Sequence, residues 1–327
     1  MNPILVEVTR GGRVESTHRG AVAVCDAKGG VVFAAGDIDA AVFPRSAVKA
    51  FQALPLIESG AADRVGLTAA EIALACASHG GEGEHTATAR SMLAKAGRDE
   101  ACLECGAHWP YDTAATQRLV RAGETPSALH NNCSGKHSGF ICLACASGDD
   151  PAGYVRPDHP TMQRVTQALA AMTGVSLDAR NRATDGCSIP TYAIPLRALA
   201  LGFARFGVAD GAAARIRAAV AAHPFMVGGT GRFDTVLMQA LGARAFVKSG
   251  AEGVHCAALP ELGLGIAVKC EDGAARAGDL VCAILIDRLL GGGVPERLVR
   301  PELRNWNDIP VGAIRPADTL AGVKHAG

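Results

Sequence analysis

Aromatic side chains are scarce in this chain: two Trp, three Tyr and nine Phe make up 4% of its 327 residues. Any sizeable core must then be built from Ala, Val, Leu and Ile, which the 49% hydrophobic content supplies. Charge of one sign is not in excess either, with 32 basic against 32 acidic residues. Without a basic stripe interleaved with aromatics, a dedicated nucleic-acid binder is excluded. No apolar run approaches the roughly 18 residues of a membrane span. The opening residues Met1-Asn2-Pro3-Ile4-Leu5-Val6-Glu7 lack the basic and long apolar regions of an export signal, so a cytoplasmic location is expected. Eleven cysteines in that setting read as free thiols or metal ligands rather than disulfides. The histidines show no H-E-x-x-H spacing, which argues against a histidine-built hydrolytic metal site. The Gly228-Gly229-Thr230-Gly231 loop lacks the G-K-[ST] ending of a phosphate loop.

Lysine is the last scarce residue, with 7 Lys against 25 Arg. Surface charge here is carried by arginine, which cannot act as a base at neutral pH, whereas a desolvated lysine can. That singles out Ser46 and Lys49, three apart in Phe43-Pro44-Arg45-Ser46-Ala47-Val48-Lys49. Residues at i and i+3 share a helix face, so a neutral Lys49 amine is placed to take the Ser46 proton and make a nucleophile without histidine. The pattern alone is cheap, since chance supplies about a quarter of such a match in a chain of this composition. A second lysine, Lys248 in Val247-Lys248-Ser249-Gly250, follows residues of strand type. S-x-x-K at a helix start with a late K-[ST]-G on a strand is the pattern of serine β-lactamases and penicillin-binding proteins. The middle S-D-N of that pattern is missing, and Ser78 in Ala77-Ser78-His79-Gly80 is the candidate for its place.

Along the chain, the first forty residues read as strands: Pro3 to Thr9, then Gly20 to Cys25 and Val31 to Ala35 flanking a hairpin at Lys28-Gly29-Gly30. A helix is expected from the Ser46 segment to about Ser59, kinked or ended by Pro55. Thr68-Ala69-Ala70-Glu71 is a capping box opening another. Helical patterns follow at 85–97, 112–122, 135–147, 160–173, 190–206 and 209–222, and strands return at 245–248, 253–258 and 264–269 before a helix at about 275–290. Strands at both ends with helices between predict an α+β fold: one antiparallel sheet built from N- and C-terminal strands and packed with helices.

Two polar loops hold thiols outside apolar company. One is Asn131-Asn132-Cys133-Ser134-Gly135-Lys136-His137-Ser138-Gly139 and the other Thr184-Asp185-Gly186-Cys187-Ser188-Ile189-Pro190. Thiolates suit zinc, but neither loop offers a complete ligand set by spacing. The pairs Cys102–Cys105 and Cys142–Cys145 compete as a zinc knot, although Cys142 and Cys145 sit in the apolar run Phe140-Ile141-Cys142-Leu143-Ala144-Cys145-Ala146, where cysteine packs as a small apolar residue.

Taken together, Arg45-Ser46-Ala47-Val48-Lys49, Cys76-Ala77-Ser78-His79, Asn132-Cys133-Ser134-Gly135-Lys136-His137, Thr184-Asp185-Gly186-Cys187 and Val247-Lys248-Ser249-Gly250-Ala251 occur in the order found in the Rhizobium etli-type L-asparaginases, which the chain resembles over nearly its whole length. The resemblance implies a single domain over residues 1–327, β-lactamase- and glutaminase-like in fold, with a mostly helical lobe at about 60–240 between the sheet-forming ends. It implies hydrolysis of L-asparagine to L-aspartate and ammonia, with Ser46 as nucleophile, Lys49 as its base, and Ser78 with Lys248 as a second proton-shuttling pair. It also implies a zinc ion on Cys133, Lys136 and Cys187 that orients substrate, substrate contacts from Arg45, His137 and Asp185, and a homodimer. The rival readings are a glutaminase, one methylene away in substrate, and a β-lactamase-like serine hydrolase.

Overall fold

The computed structural model describes residues 1–323. Three strands come from the first forty residues: β1 (Ile4–Arg10), β2 (Arg13–Asp26) and β3 (Val31–Ala35). Four short ones follow, β4 (Ala41–Val42), β5 (Arg182–Thr184), β6 (Pro190–Tyr192) and β7 (Ile194–Pro195), pairing as β4 with β7 and β5 with β6. The last five are β8 (Phe246–Ser249), β9 (Val254–Leu259), β10 (Leu264–Cys270), β11 (Glu302–Arg304) and β12 (Pro310–Pro316). The described residues divide into two compact units, one of Met1–Ala47, Ala193–Val208 and those from Leu237 on, the other of Val48–Tyr192 and Ala209–Val236.

The first unit holds one antiparallel sheet in the order β11-β12-β1-β2-β10-β9-β8, with β3 also on β2. The two ends of the chain interleave in it, as the α+β reading requires. The 14-residue β2 spans two partners, its first half on β1 and its second on β10, where Gly20 faces Cys270 and Asp26 faces Leu264. β10 is buried at nearly every position because both its faces are covered. The helix Leu196–Val208 lies on one face so closely that a Cβ on Gly265 would come within 2.0 Å of the Ala200 carbonyl oxygen. The helix Ala275–Leu290 covers the other, where Gly278 leaves room for the His255 ring of β9. Aromatics are few but gathered here: Phe203, Phe206 and Phe246 pack at 5.1–6.4 Å between ring centroids.

The second unit is helical. Its centre is Ser134–Ala146, buried along residues 134–144, which include Lys136, His137 and Ser138. A helix apolar all round is a core helix, and polar groups on it need a reason to be there. The helices Lys49–Glu58, Ala61–Val65 and Gly83–Lys95 pack on it. Small residues permit close approach: a Cβ on Gly135 would stand 2.5 Å from the Leu74 carbonyl oxygen. The capping box forms as read, with Glu71 accepting from the Thr68 backbone N–H at 2.7 Å and Thr68 Oγ1 accepting from the Glu71 N–H at 3.3 Å.

Four local expectations are corrected. Arg45–Val48 is a 3₁₀ turn and the α-helix starts at Lys49. Pro55 does not end that helix, which runs on to Glu58; proline there forfeits one hydrogen bond near the helix end, while the buried side chains of Leu54, Leu56 and Ile57 hold it. Residues 190–195 form the short strands β6 and β7 rather than a helix start, since Pro190 and Pro195 disfavour helical neighbours. A helix at Phe233–Leu241, not anticipated from the sequence, precedes β8.

Candidate active site

Lys49 opens the helix Lys49–Glu58 and is only 1% exposed. Its Nζ donates to Ser78 Oγ at 2.9 Å and to the Ala77 carbonyl oxygen. Ala77 and Ser78 follow the end of the helix Ala69–Leu74, in a stretch held by the Ser78 N–H donating to the Val227 carbonyl at 2.9 Å and the His79 N–H to that of Asn132 at 3.2 Å. The lysine is thus fixed on a serine hydroxyl whose backbone has no freedom to leave.

Ser46 lies in the other unit, half-buried in the 3₁₀ turn. Arg45 before it takes φ +52°, the left-handed region that costs a non-glycine residue of order 1–3 kcal/mol and gathers at functional sites. The end of β8 comes against the same turn: a Cβ on Gly250 would meet the Pro44 carbonyl oxygen at 2.5 Å and the Ala47 nitrogen at 3.1 Å. Only glycine permits that approach, which brings the strand carrying Lys248 beside the segment carrying Ser46. Lys248 is fully buried and donates from Nζ to the Ser249 carbonyl at 2.7 Å.

Cys133 caps the start of Ser134–Ala146, Lys136 lies one turn in, and Cys187 sits in the β5–β6 turn, where Ser188 takes φ +76°. All three functional groups are buried, and Lys136 Nζ stands 3.1 Å from Cys187 Sγ. The hydrogen bond from Cys187 draws the Cys133 thiol well below its ordinary pKa against the cost of burial, helped by Lys136 and Lys49. Burial opposes charge on Lys136, but the facing Cys133 and Cys187 sulfurs and Asp185 outweigh it and raise its pKa. Asp185, half-buried, shapes the turn by accepting the Gly186 N–H on Oδ1 at 2.7 Å.

Among the described residues no three His, Cys, Asp or Glu side chains converge as a metal cluster. Two thiols and an amine do converge here, and they fit zinc. Tetrahedral bonds of about 2.3 Å to sulfur and 2.0 Å to nitrogen place such ligand atoms about 3.5 Å apart, close to the separation of Lys136 and Cys187. The C-x-x-C pairs are of another kind: all eleven cysteines are free, Cys142 is packed in the core, and Cys102 and Cys145 are half-buried.

His137 follows Lys136 and is wholly buried; burial, then the charges of Lys136 and Lys49, lower its pKa well below the usual imidazole value. Its Nδ1 meets the Tyr154 hydroxyl at 2.6 Å. A second buried imidazole, His79, joins the Ser78 segment to this helix. Its Nδ1 accepts the Gly81 N–H at 3.1 Å, so Nε2 carries the proton and donates to Ser134 Oγ at 2.9 Å. Neither Tyr154 nor the His79–Ser134 link was singled out by sequence. Scarcity was the available signal for Tyr154, one of three tyrosines, but it carries no spacing motif.

The model for the family L-asparaginase II matches the chain over residues 6–316. No curated protein matches it. Among solved structures, a beta-lactamase from Mycobacterium bovis is 15% identical over 81% of this chain and 92% of its own, with a TM-score of 0.35. Another, described as Mglu in its native form, is 16% identical over 86% of this chain and 66% of its own, with a TM-score of 0.32. At such scores the architecture rests on the strand order itself. No helix among the described residues is long and apolar enough to cross a membrane.

Proposed function

We propose, from the premise that the chain belongs to the L-asparaginase II family, that it hydrolyses the side-chain amide of L-asparagine to L-aspartate and ammonia by Ser-Lys nucleophilic catalysis. The observation that carries the reading is the buried Lys49 amine hydrogen-bonded to the Ser78 hydroxyl at 2.9 Å. An amine taken out of water is suited to act as a base, and a serine at hydrogen-bond distance is suited to relay what it takes. Ser46 Oγ attacks the amide carbon as Lys49 receives its proton. The tetrahedral adduct collapses when that proton reaches the amide nitrogen and ammonia leaves. Water then cleaves the aspartyl ester, returning the proton to Ser46. Ser78 and Lys248 form the second couple, moving protons between the amine, the leaving group and the incoming water.

Cys133, Lys136 and Cys187 are the residues that would hold zinc, with Lys136 giving up its proton to bind. Bound there, the metal supplies positive charge that orients the substrate. Arg45 and Asp185 are assigned to the substrate's carboxylate and ammonium groups. A homodimer working in the reducing cytoplasm completes the proposal, in keeping with eleven free thiols.

The test is ammonia release from L-asparagine and L-glutamine side by side, with metal content measured on the same sample. Asparagine is expected to be the better substrate, one methylene being worth about 1–3 kcal/mol of discrimination. Ser46→Ala is expected to abolish release and the aspartyl-enzyme seen by mass spectrometry. Full activity in that variant would remove Ser46 from the chemistry, and an aspartyl ester found on Ser78 instead would reverse the roles of the two serines.

A further inference from the structure

His137 Nε2 is buried and has no hydrogen-bond partner among the described residues, although buried polar atoms are almost always paired. Leaving such a group unsatisfied costs its desolvation with nothing gained in return. Which kind of partner it lacks depends on where the ring carries its proton, and the neighbouring bonds decide that. The Tyr154 hydroxyl oxygen accepts from the Glu104 backbone N–H at 3.0 Å, a group that can only donate. The hydroxyl's single proton is then left for its other neighbour, His137 Nδ1, at 2.6 Å. Nδ1 is therefore the bare nitrogen of a neutral ring and Nε2 carries the N–H. Tyr154 meets the imidazole edge-on, with 5.4 Å between centroids and 73° between planes, while Phe140 flanks it at 5.8 Å. The ring cannot turn over without displacing both.

We propose that Tyr154 is a positioning residue that locks His137 in its Nε2–H form, so that a buried donor stands ready for a carboxylate oxygen of the amino-acid substrate. The assignment rests on the asparaginase reading for the identity of that substrate and on the hydrogen bonds alone for the tautomer. It also separates two roles that sequence left together: an N–H can hold the carboxylate and not the ammonium group. Tyr154 is itself fully buried on a loop outside the Ser134–Ala146 helix, so its hydroxyl links that loop to the ring's proton.

Two measurements test this. In the unliganded wild-type protein, long-range proton–nitrogen NMR spectra, assigned by the signals lost in His137→Gln, are expected to show the neutral Nε2–H tautomer. An Nδ1–H tautomer overturns the proposal, whatever the activity. In Tyr154→Phe, checked for folding by its unfolding transition, affinity for L-aspartate by calorimetry is expected to fall about tenfold or more, the worth of one hydrogen bond to a charged group. The KM for L-asparagine should rise by a similar factor with kcat little changed, the mark of binding lost equally in ground and transition states. A folded Tyr154→Phe that binds aspartate as the parent does also overturns it. Should that variant not fold, the wild-type tautomer decides. A wild-type protein that shows Nε2–H but releases no ammonia would sink the asparaginase reading and leave the tautomer assignment standing.

Discussion

Acid should destabilise this protein well before its carboxylates titrate, and His79 is the reason. The ring is fully buried, lies 4.8 Å from the stacked His85 ring, and already uses Nδ1 to accept from Gly81 and Nε2–H to donate to Ser134. Ser134 Oγ in turn donates to the Leu129 carbonyl at 2.8 Å. A second proton on Nδ1 would set one N–H against another. Burial first, then the charges of His85 and Lys49, hold the pKa well below 6.5. Above pH 6.5 the ring is neutral folded and unfolded, and its full stabilisation is present. Below it the unfolded chain takes up a proton that the native state refuses, so stability falls by about 1.4 kcal/mol per pH unit until the folded pKa is reached. Between pH 7.5 and 5.5 His79 therefore costs on the order of 1 kcal/mol. His137, His85 and His130 are shifted in the same sense with burial as the first cause, and add to the loss. Urea unfolding followed by circular dichroism at pH 7.5, 6.5 and 5.5, with chelator present throughout so that metal release does not contribute, reads this directly. His79→Gln retains an amide donor for Ser134 and should lose its own share, on the order of 1 kcal/mol, of the pH dependence. If its stability changes with pH as steeply as the parent's, the buried neutral imidazole is not the cause and the reasoning fails.

Gly265→Ala should cost at least 3 kcal/mol in unfolding free energy or leave no soluble protein, because its Cβ would strike the backbone at Ala200 and Ala204 (2.0 and 2.2 Å) rather than a movable side chain; a loss under 1 kcal/mol by urea titration contradicts that packing. Cys187→Ser should lower bound zinc and raise KM for L-asparagine more than it lowers kcat, measured by metal analysis and steady-state kinetics on one preparation. Stoichiometric zinc retained in that variant would take Cys187 out of the ligand set.

What could be read from the chain was whatever leaves a local trace. The turn at Lys28-Gly29-Gly30 between two β-rich runs, the capping box at Thr68, and the helix at 275–290 each carry their signal within a few residues, and each is present in the fold. The sheet built from both ends was legible because strand patterns occur at the ends and helical ones between. Ile189-Pro190-Thr191-Tyr192-Ala193-Ile194-Pro195 misled because an apolar run of that length suits strand and helix alike, and only its pairing with Arg182–Thr184 and Ala41–Val42 chooses strand. Among the candidate site residues, scarcity marked Lys49 and Lys248, and the polar, thiol-bearing loop around it marked Lys136. The hydrogen bond between Lys49 and Ser78 joins residues 29 apart, and the one between His137 and Tyr154 crosses from a helix to a loop. Periodicity does not report contacts made by packing.

The interleaving of the two chain ends in one sheet also sets an order of events. β2 gains its β10 partner only after some 240 further residues have been made, since Gly20–Asp26 pairs with Leu264–Cys270. β1 waits longer still for its β12 partner, since Val6, Glu7 and Val8 pair with Pro316, Arg315 and Ile314. Closing loops of that length before any contact repays the entropy makes folding slow. Throughout synthesis the first strands present unsatisfied edges, the kind of surface on which chains aggregate. The helices of the second unit are largely held by neighbours nearer in sequence and can assemble on the ribosome. The sheet, and with it the β8 end that presses Gly250 against the Ser46 turn, is completed last. A nascent chain released before β8 is made has its helical core but no Lys248 and no strand end against the Ser46 turn.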